Sequence, residues 1–217
     1  MYIYNTPSFV KKLFPRLLWD KADTERNVYL TFDDGPVPQI SHFVMDTLEA
    51  FDAKATFFCV GDNIRKYPDI FQEMIVRGHQ VGNHTYHHLN GWANSPRRYL
   101  KDVVACQKVM DSYYRHPPGS KALFRPPYGR IRKAQYESLL PHYEVVMWDV
   151  LSHDYDASQP ETLCLQKCIQ YTQPGSIVVF HDSLKAAKNL QYVLPRYLEH
   201  LQKLDYKCEA LHPLALC

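Results

Sequence analysis

The sequence predicts an α/β fold with a single domain: a distorted barrel of seven or eight parallel strands with helices on the outside. Short β-branched or aromatic runs alternate with longer amphipathic segments along the chain, and this alternation favours a parallel sheet covered by helices. Roughly seven repeats of the unit suit a barrel better than an open sheet. A length of 217 residues is ample for one core and short for two full domains.

The strands are predicted from short runs of this kind. In chain order they are VYLTF at 28–32, ATFFCV at 55–60, QVG at 80–82, KALF at 121–124, YEVVMW at 143–148, SIVVF at 176–180 and KCEA at 207–210. The amphipathic segments between them predict helices at 39–50, 63–77, 95–114, 133–140, 160–171 and 186–204. Ser95 before Pro96 is a cap residue followed by a first-turn proline, and Gly78 follows the helix expected to end at Arg77.

Two regions are predicted: an N-terminal extension, 1–27, packed on the barrel, and the domain itself, 28–217. The short basic segment 9–19 is amphipathic. It is read either as a helix, interrupted at Pro15, that closes one end of the core, or as a weak contact with an anionic membrane surface. No signal peptide and no run of about 18 apolar residues is visible, so a cytoplasmic location is expected.

Composition limits the partners. The net charge is +2 and no block of Lys and Arg is long enough to follow a phosphate backbone, so no nucleic-acid partner is expected. The six cysteines form no CxxC pair and are predicted to be reduced thiols. No feature of the sequence indicates an oligomeric state.

Polar residues that could act in catalysis or bind a metal ion follow the predicted strands. They are Asp33 and Asp34 after the first strand, His84 and His88 after the third, 125–128 after the fourth, Asp154 after the fifth and His181 after the sixth. In a parallel barrel the carboxyl ends of the strands gather on one face. We therefore expect these groups to meet in one site.

The adjacent carboxylates of Asp33 and Asp34 repel each other and need a cation to stay ionised. His84 and His88 are four residues apart, and on a helical turn they would point the same way, which suits a zinc-type ion. With Asp34 they form a set of three ligands with open positions, which is the catalytic rather than the structural pattern. Asp33 is then free to take a proton from an attacking water, with Arg125 placed to hold it ionised.

His181 ends an apolar strand and can donate a proton to a leaving nitrogen. Asp154 is expected to orient it and to raise its pKa, because a nearby anion favours imidazolium. Asp182 competes for this role, but a residue adjacent in a strand points elsewhere.

Five motifs in this order resemble those of the polysaccharide deacetylase family, also called the NodB-homology domain or carbohydrate esterase family 4. They are TFDDG at 31–35, HTYHH at 84–88, RPPY at 125–128, WD at 148–149 through DY at 154–155, and VFH at 179–181. The resemblance implies a NodB-like barrel. It also implies one divalent metal ion, commonly zinc, with cobalt, nickel or manganese as alternatives, held by Asp34, His84 and His88.

The same resemblance implies catalytic roles. Asp33 matches the general base, His181 the general acid, Asp154 the residue that tunes the acid, Arg125 the residue that orients the base, and Tyr128 the donor whose backbone N–H stabilises the oxyanion.

The activity implied is removal of N-acetyl groups, as acetate, from an amino-sugar oligo- or polysaccharide of the chitooligosaccharide or peptidoglycan N-acetylglucosamine type. Two positions that help to shape the acetyl pocket depart from the family pattern: Tyr155 replaces Trp and Val179 replaces Leu. The alternatives are an O-acetyl esterase or a deformylase acting on a lipid-linked sugar, and a non-catalytic carbohydrate-binding module on the same fold. No metal ligand or base of the family pattern is missing, which argues against a non-catalytic module.

Overall fold

A parallel sheet lies at the centre of the molecule in a computed structural model, which describes residues 2–21, 25–116 and 119–213. Its strands are β1 (Asn27–Asp33), β2 (Ala55–Cys59), β3 (Gln80–Asn83), β4 (Ala122–Phe124), β5 (Tyr143–Val145), β6 (Val150–Leu151), β7 (Ile177–His181) and β8 (Lys207–Cys208). Their order is β5-β4-β3-β2-β1-β7-β6, and β8 pairs with the start of β1. Every pairing is parallel, so the predicted fold class is confirmed.

Helices connect the strands. They are α1 (Ser8–Leu13), α2 (Ile40–Ala50), α3 (Gly61–Lys66), α4 (Pro68–Val76), α5 (Pro96–Met110), α6 (Lys133–Leu139), α7 (Glu161–Tyr171) and α8 (Ala187–Lys203). Short 3₁₀ turns occur at Gly91–Ala93 and Pro127–Gly129. In the described part of the chain, no helix is both long and apolar enough to cross a membrane.

Four predicted elements are wrong in extent. The helix expected at 95–114 ends at Met110, and the strand expected at 207–210 ends at Cys208. The helix expected at 63–77 is two helices, because Pro68 forces the preceding Tyr67 out of helical geometry, to φ −131° and ψ 57°. The strand expected at 143–148 ends at Val145, and the chain pairs with the sheet again only as β6. Between these strands the Met147 N–H bonds to the Leu18 carbonyl, 2.7 Å away, instead of to a strand of the sheet.

Alternation along the strands separates two apolar layers. Phe32, Phe57 and Phe180 stack across β2, β1 and β7, with ring centroids 5.2 and 5.8 Å apart, in the cluster that also includes helix residues such as Leu48 and Leu194. The opposite face carries a separate buried cluster inside the barrel, formed by Tyr29, Phe58, Leu123, Val146, Ile177 and Leu211. Asp33 and His181 share the strand face of Tyr29 and Ile177, so both side chains point toward the barrel axis.

The N-terminal residues lie between the two ends of the sheet. Leu18 forms a bridge with Val146 after β5, and Asn5 forms one with Val150 of β6. No residue of α1 is buried, whereas Leu17 and Trp19 are. Within 9–19, the segment after the helix therefore supplies the buried residues that close the core, and Val10 of α1 packs against the same cluster. The membrane contact of 9–19 and the cytoplasmic location stay predictions.

The cysteines at 59, 106, 164, 168 and 208 are free thiols, as predicted. Cys217 lies outside the described residues.

Candidate functional site

Strand register brings the predicted site residues together. Asp33 and His181 are direct partners at the ends of β1 and β7, and Asn83 pairs with Phe124, so that His84 and Arg125 follow on neighbouring strands. A cavity of about 510 Å³ opens at these carboxyl ends, and its lining includes Asp33, Asp34, His84, His88, Tyr128 and His181. The other two predicted residues, Arg125 and Asp154, are fully buried behind it.

Asp34, His84 and His88 form a candidate metal centre. One ligand atom from each lies within 4.8 Å of the others. The Asp34 Oδ1 atom is 3.1 Å from His88 Nε2 and 3.8 Å from His84 Nε2. Two imidazoles and one carboxylate facing a cavity are a donor set that zinc and similar divalent ions accept.

The protonation state of His84 fits this use. Its Nδ1 atom is 2.8 Å from the Arg125 carbonyl oxygen, which can only accept, so Nδ1 carries the proton and Nε2 keeps a free lone pair. Burial lowers the pKa of His84 to about 4, so the ring is neutral at pH 7.

The two histidines do not lie on a helical turn, so that expectation is wrong. They occupy an irregular loop in which Thr85 has φ 63° and His88 has φ 54°. Asp102 of α5 holds this loop: one carboxylate oxygen accepts the backbone N–H groups of Tyr86 and His87, and the other lies 2.6 Å from His87 Nδ1. No sequence signal pointed to Asp102, which lies 14 residues or more beyond the histidines.

Asp33 is held apart from this ligand set. Its Oδ1 atom accepts a hydrogen bond of 2.8 Å from Arg125 Nη1, while its Oδ2 atom lies 3.9 Å from His84 Nε2. Asp34 follows at φ 84°, in the left-handed region, so the chain turns sharply between the two adjacent carboxylates. Burial opposes ionisation of Asp34, but the hydrogen bond from His88 and the positive charge of His181 outweigh it and hold the pKa of Asp34 well below its usual range.

Arg125 is enclosed by acceptors. Besides Asp33, it donates to the Thr31 hydroxyl at 2.7 Å and to the Met147 carbonyl at 2.8 Å, and its guanidinium lies over the Phe58 ring at 4.2 Å. The side chain is therefore fixed before any substrate binds. Thr31 was missed by sequence reasoning, although it lies on the same strand face as Asp33 two residues earlier.

His181 and Asp154 form a buried pair. Asp154 Oδ1 is 2.7 Å from His181 Nδ1, and its Oδ2 accepts the His181 backbone N–H at 2.9 Å. The Ser152 hydroxyl, also missed, donates to the same carboxylate. Burial alone would lower the pKa of His181, but the charge and hydrogen bond of Asp154 outweigh burial and raise it to about 9. Asp154 follows β6 rather than the predicted fifth strand.

Asp182 faces away from His181, as predicted. Its carboxylate accepts the Gly35 N–H at 2.9 Å and the Ser41 hydroxyl. A Cβ at Gly35 would lie 2.0 Å from an Asp182 oxygen, which explains the glycine after Asp34.

Aromatic residues form much of the cavity rim. The Tyr128 ring packs on His88, and the Tyr155 ring packs edge-on to His181, with centroids 4.6 and 4.8 Å apart. Tyr128 has φ 60°, an uncommon conformation that concentrates at functional sites. Val179 lines the same cavity.

Several known proteins are similar to this chain in sequence. The family model described as "Polysaccharide deacetylase" matches residues 20–140. A peptidoglycan-N-acetylglucosamine deacetylase of Bacillus cereus is 28% identical over 191 residues, covering 87% of this chain and 88% of the relative. A chitooligosaccharide deacetylase of Azorhizobium caulinodans is 30% identical, covering 74% of this chain and 76% of the relative.

One solved structure is similar over nearly its whole length. It is the Bc1960 peptidoglycan N-acetylglucosamine deacetylase in complex with 4-naphthalen-1-yl-N-oxidanyl-benzamide, with a TM-score of 0.83, 25% identity and 95% of each chain covered.

Proposed function

The chain belongs to the polysaccharide deacetylase family, and we propose that it is a metal-dependent hydrolase that releases acetate from N-acetylated amino sugars in an oligo- or polysaccharide. The observation that carries the proposal is the pairing of Asp33 with His181 across β1 and β7, beside a set of three metal-binding side chains. The relatives named for peptidoglycan N-acetylglucosamine and chitooligosaccharides support this substrate class.

Asp34, His84 and His88 would hold one divalent ion, for which zinc is the best match and cobalt, nickel or manganese are alternatives. Such an ion, when bound, polarises the amide carbonyl and acidifies a water molecule. The hydrogen bond from His84 Nδ1 to the Arg125 carbonyl fixes this ring in the tautomer that can act as a ligand.

Asp33 acts as the general base. Arg125 holds one carboxylate oxygen, and the other is directed toward the ligand set, where it can accept a proton from the attacking water. Burial of the Arg125 side chain keeps this orientation fixed, so Asp33 does not have to be reoriented during the reaction.

His181 acts as the general acid. Because Nδ1 donates to Asp154, the proton on Nε2 is the one delivered to the leaving nitrogen as the C–N bond breaks. The Tyr128 backbone N–H, at the cavity wall, donates to the oxyanion that forms on the acyl oxygen. The products are acetate and a free amino sugar.

The reaction should lose rate in alkaline solution. A raised pKa means that His181 is fully protonated well below pH 9 and loses its proton as the pH rises through about 9. Asp154→Asn removes the charge that raises this pKa, so the alkaline limb of kcat should move toward the ordinary value of about 6.5. A cation in the neighbouring site moves the alkaline limb to lower pH in the wild type and in Asp154→Asn alike. The quantity to measure is therefore the difference in pH between the alkaline limbs of the two proteins. Identical profiles would contradict the assigned acid.

Acetate release tests the proposal directly. Purified protein is incubated with N-acetylglucosamine oligomers, and acetate is measured after metal chelation and after zinc is added back. We expect release that the chelator abolishes and zinc restores. O-acetylated and N-formylated sugars run in parallel. Release of acid from the O-acetylated or N-formylated sugars alone would contradict the proposal and support an esterase or a deformylase instead. Release that resists the chelator would refute the metal role.

A further inference from the structure

His153 is a buried imidazole that the proposed mechanism does not use. It is 6% exposed and lies next to Asp154. Its Nε2 atom is 3.0 Å from the Ile3 carbonyl oxygen, and its Nδ1 atom is 3.0 Å from the Tyr155 hydroxyl. A carbonyl only accepts, so Nε2 carries the proton and Nδ1 accepts from the tyrosine. Burial lowers the pKa of His153 and so favours the neutral ring.

The N-terminal segment 2–5 encloses this histidine. The rings of Tyr2 and Tyr4 pack edge-on against His153, with centroids 5.1 and 4.8 Å away. The Leu151 N–H bonds to the Tyr4 carbonyl at 2.9 Å, and Asn5 forms a bridge with Val150. The segment 2–5 is thus fixed along β6, and it presents the Ile3 carbonyl to the imidazole.

Tyr155, at the other end of the chain of hydrogen bonds, reaches the active site. It is 39% exposed, so its position is not determined by burial alone. Its ring packs edge-on to His181 and lines the same cavity as Asp33 and Val179. The hydroxyl is therefore the point at which this aromatic wall is anchored.

We propose that His153 is a positioning residue of this site: it joins segment 2–5 to the Tyr155 hydroxyl and fixes the cavity wall beside His181, so that only a short acyl group fits. The inference rests on the proposed deacylase function. It makes segment 2–5 a part of the active site, although none of its residues lines the cavity.

Loss of the anchor should widen the site. A Tyr155 ring without its hydrogen bond can rotate toward solvent and leave room for a longer acyl chain. One neutral hydrogen bond corresponds to a change of about fivefold in the population of the anchored rotamer. We therefore expect Tyr155→Phe to lower the acetyl-to-propionyl ratio of kcat/KM by about fivefold. This ratio does not depend on the fraction of protein that is folded.

Matched variants separate the anchor from general damage. His153→Ala should lower the ratio as Tyr155→Phe does, whereas His153→Asn should lie closer to wild type, because Asn offers an acceptor near the Nδ1 position and tolerates the φ of 57° found there. Tyr4→Phe, which loses only a hydroxyl bonded to Gln159, should leave the ratio unchanged. An unchanged ratio in both Tyr155→Phe and His153→Ala, or a wild type that does not prefer acetyl, would overturn the inference.

A second measurement does not depend on activity. The ¹⁵N spectrum of the His153 ring should show a protonated Nε2 and an unprotonated Nδ1, and Tyr155→Phe should shift the Nδ1 resonance only. A proton on Nδ1 in the wild type would refute the anchor. A wild type that releases no acetate would instead refute the proposed function, while the spectrum still decides the hydrogen bonds.

Discussion

Replacing Asp33 by Asn is expected to lower kcat for acetate release by about 10²-fold or more, while the bound metal is retained. The amide has the shape of the carboxylate but cannot accept a proton from water. The ligand set is untouched, because Asp33 Oδ1 is directed to Arg125 and not to the shared centre of Asp34, His84 and His88. The measurement is kcat together with the metal content of the same protein sample.

A contrasting variant makes the result specific. His84→Ala removes a ligand, so it should lose metal first and activity as a consequence. Asp33→Asn also leaves the buried Arg125 charge without its partner, so thermal unfolding is followed to confirm that the protein is folded at the assay temperature. If Asp33→Asn keeps wild-type turnover, another group is the base. If it loses metal as His84→Ala does, Asp33 belongs to the ligand set.

The position of the site residues at the ends of apolar strands explains why much of this site could be predicted from sequence. Asp33 and His181 each end an almost continuous apolar run, as expected for parallel strands that are buried on both faces. The alternation of side chains along such strands directs both groups to the barrel interior, and parallel strands gather their carboxyl ends on one face. The buried position of Arg125 follows from the same alternation, since it lies two residues after Leu123 of the barrel interior.

The parts that could not be predicted depend on contacts distant in sequence. The loop of His84 and His88 takes its shape from Asp102, a residue of α5 that no local pattern links to it. Strand β6 has two residues, too few to show any periodicity. On one side β6 is bridged by Asn5 of the N-terminal segment, and no pattern in the sequence of that segment indicates this pairing. The break before Pro68, by contrast, is predictable from the sequence, because proline disfavours helical geometry at the preceding residue.

Replacing Arg125 by Met is expected to lower the free energy of unfolding by about 3–5 kcal/mol, since one partner of a buried ion pair is lost and the other stays charged. Met fills a similar volume, so the effect is not that of a cavity. The Met147 carbonyl and the Thr31 hydroxyl lose donors as well. Urea unfolding of wild type and variant gives the difference, and a change below about 0.5 kcal/mol, typical of surface sites, would contradict the assigned environment.

The double variant Arg125→Met with Asp33→Asn separates charge from packing. If the cost of Arg125→Met comes mainly from the unpaired Asp33 carboxylate, removing that charge should restore part of the stability. The loss of unfolding free energy in the double variant should then be smaller than the sum of the two single losses by about 1–3 kcal/mol. Turnover should not recover, because the base is then absent as well. Recovery of stability without recovery of turnover is therefore the result expected of a buried pair in which Arg125 orients the carboxylate and Asp33 performs the proton transfer. Additive losses in stability would show that Arg125 acts through its other contacts instead.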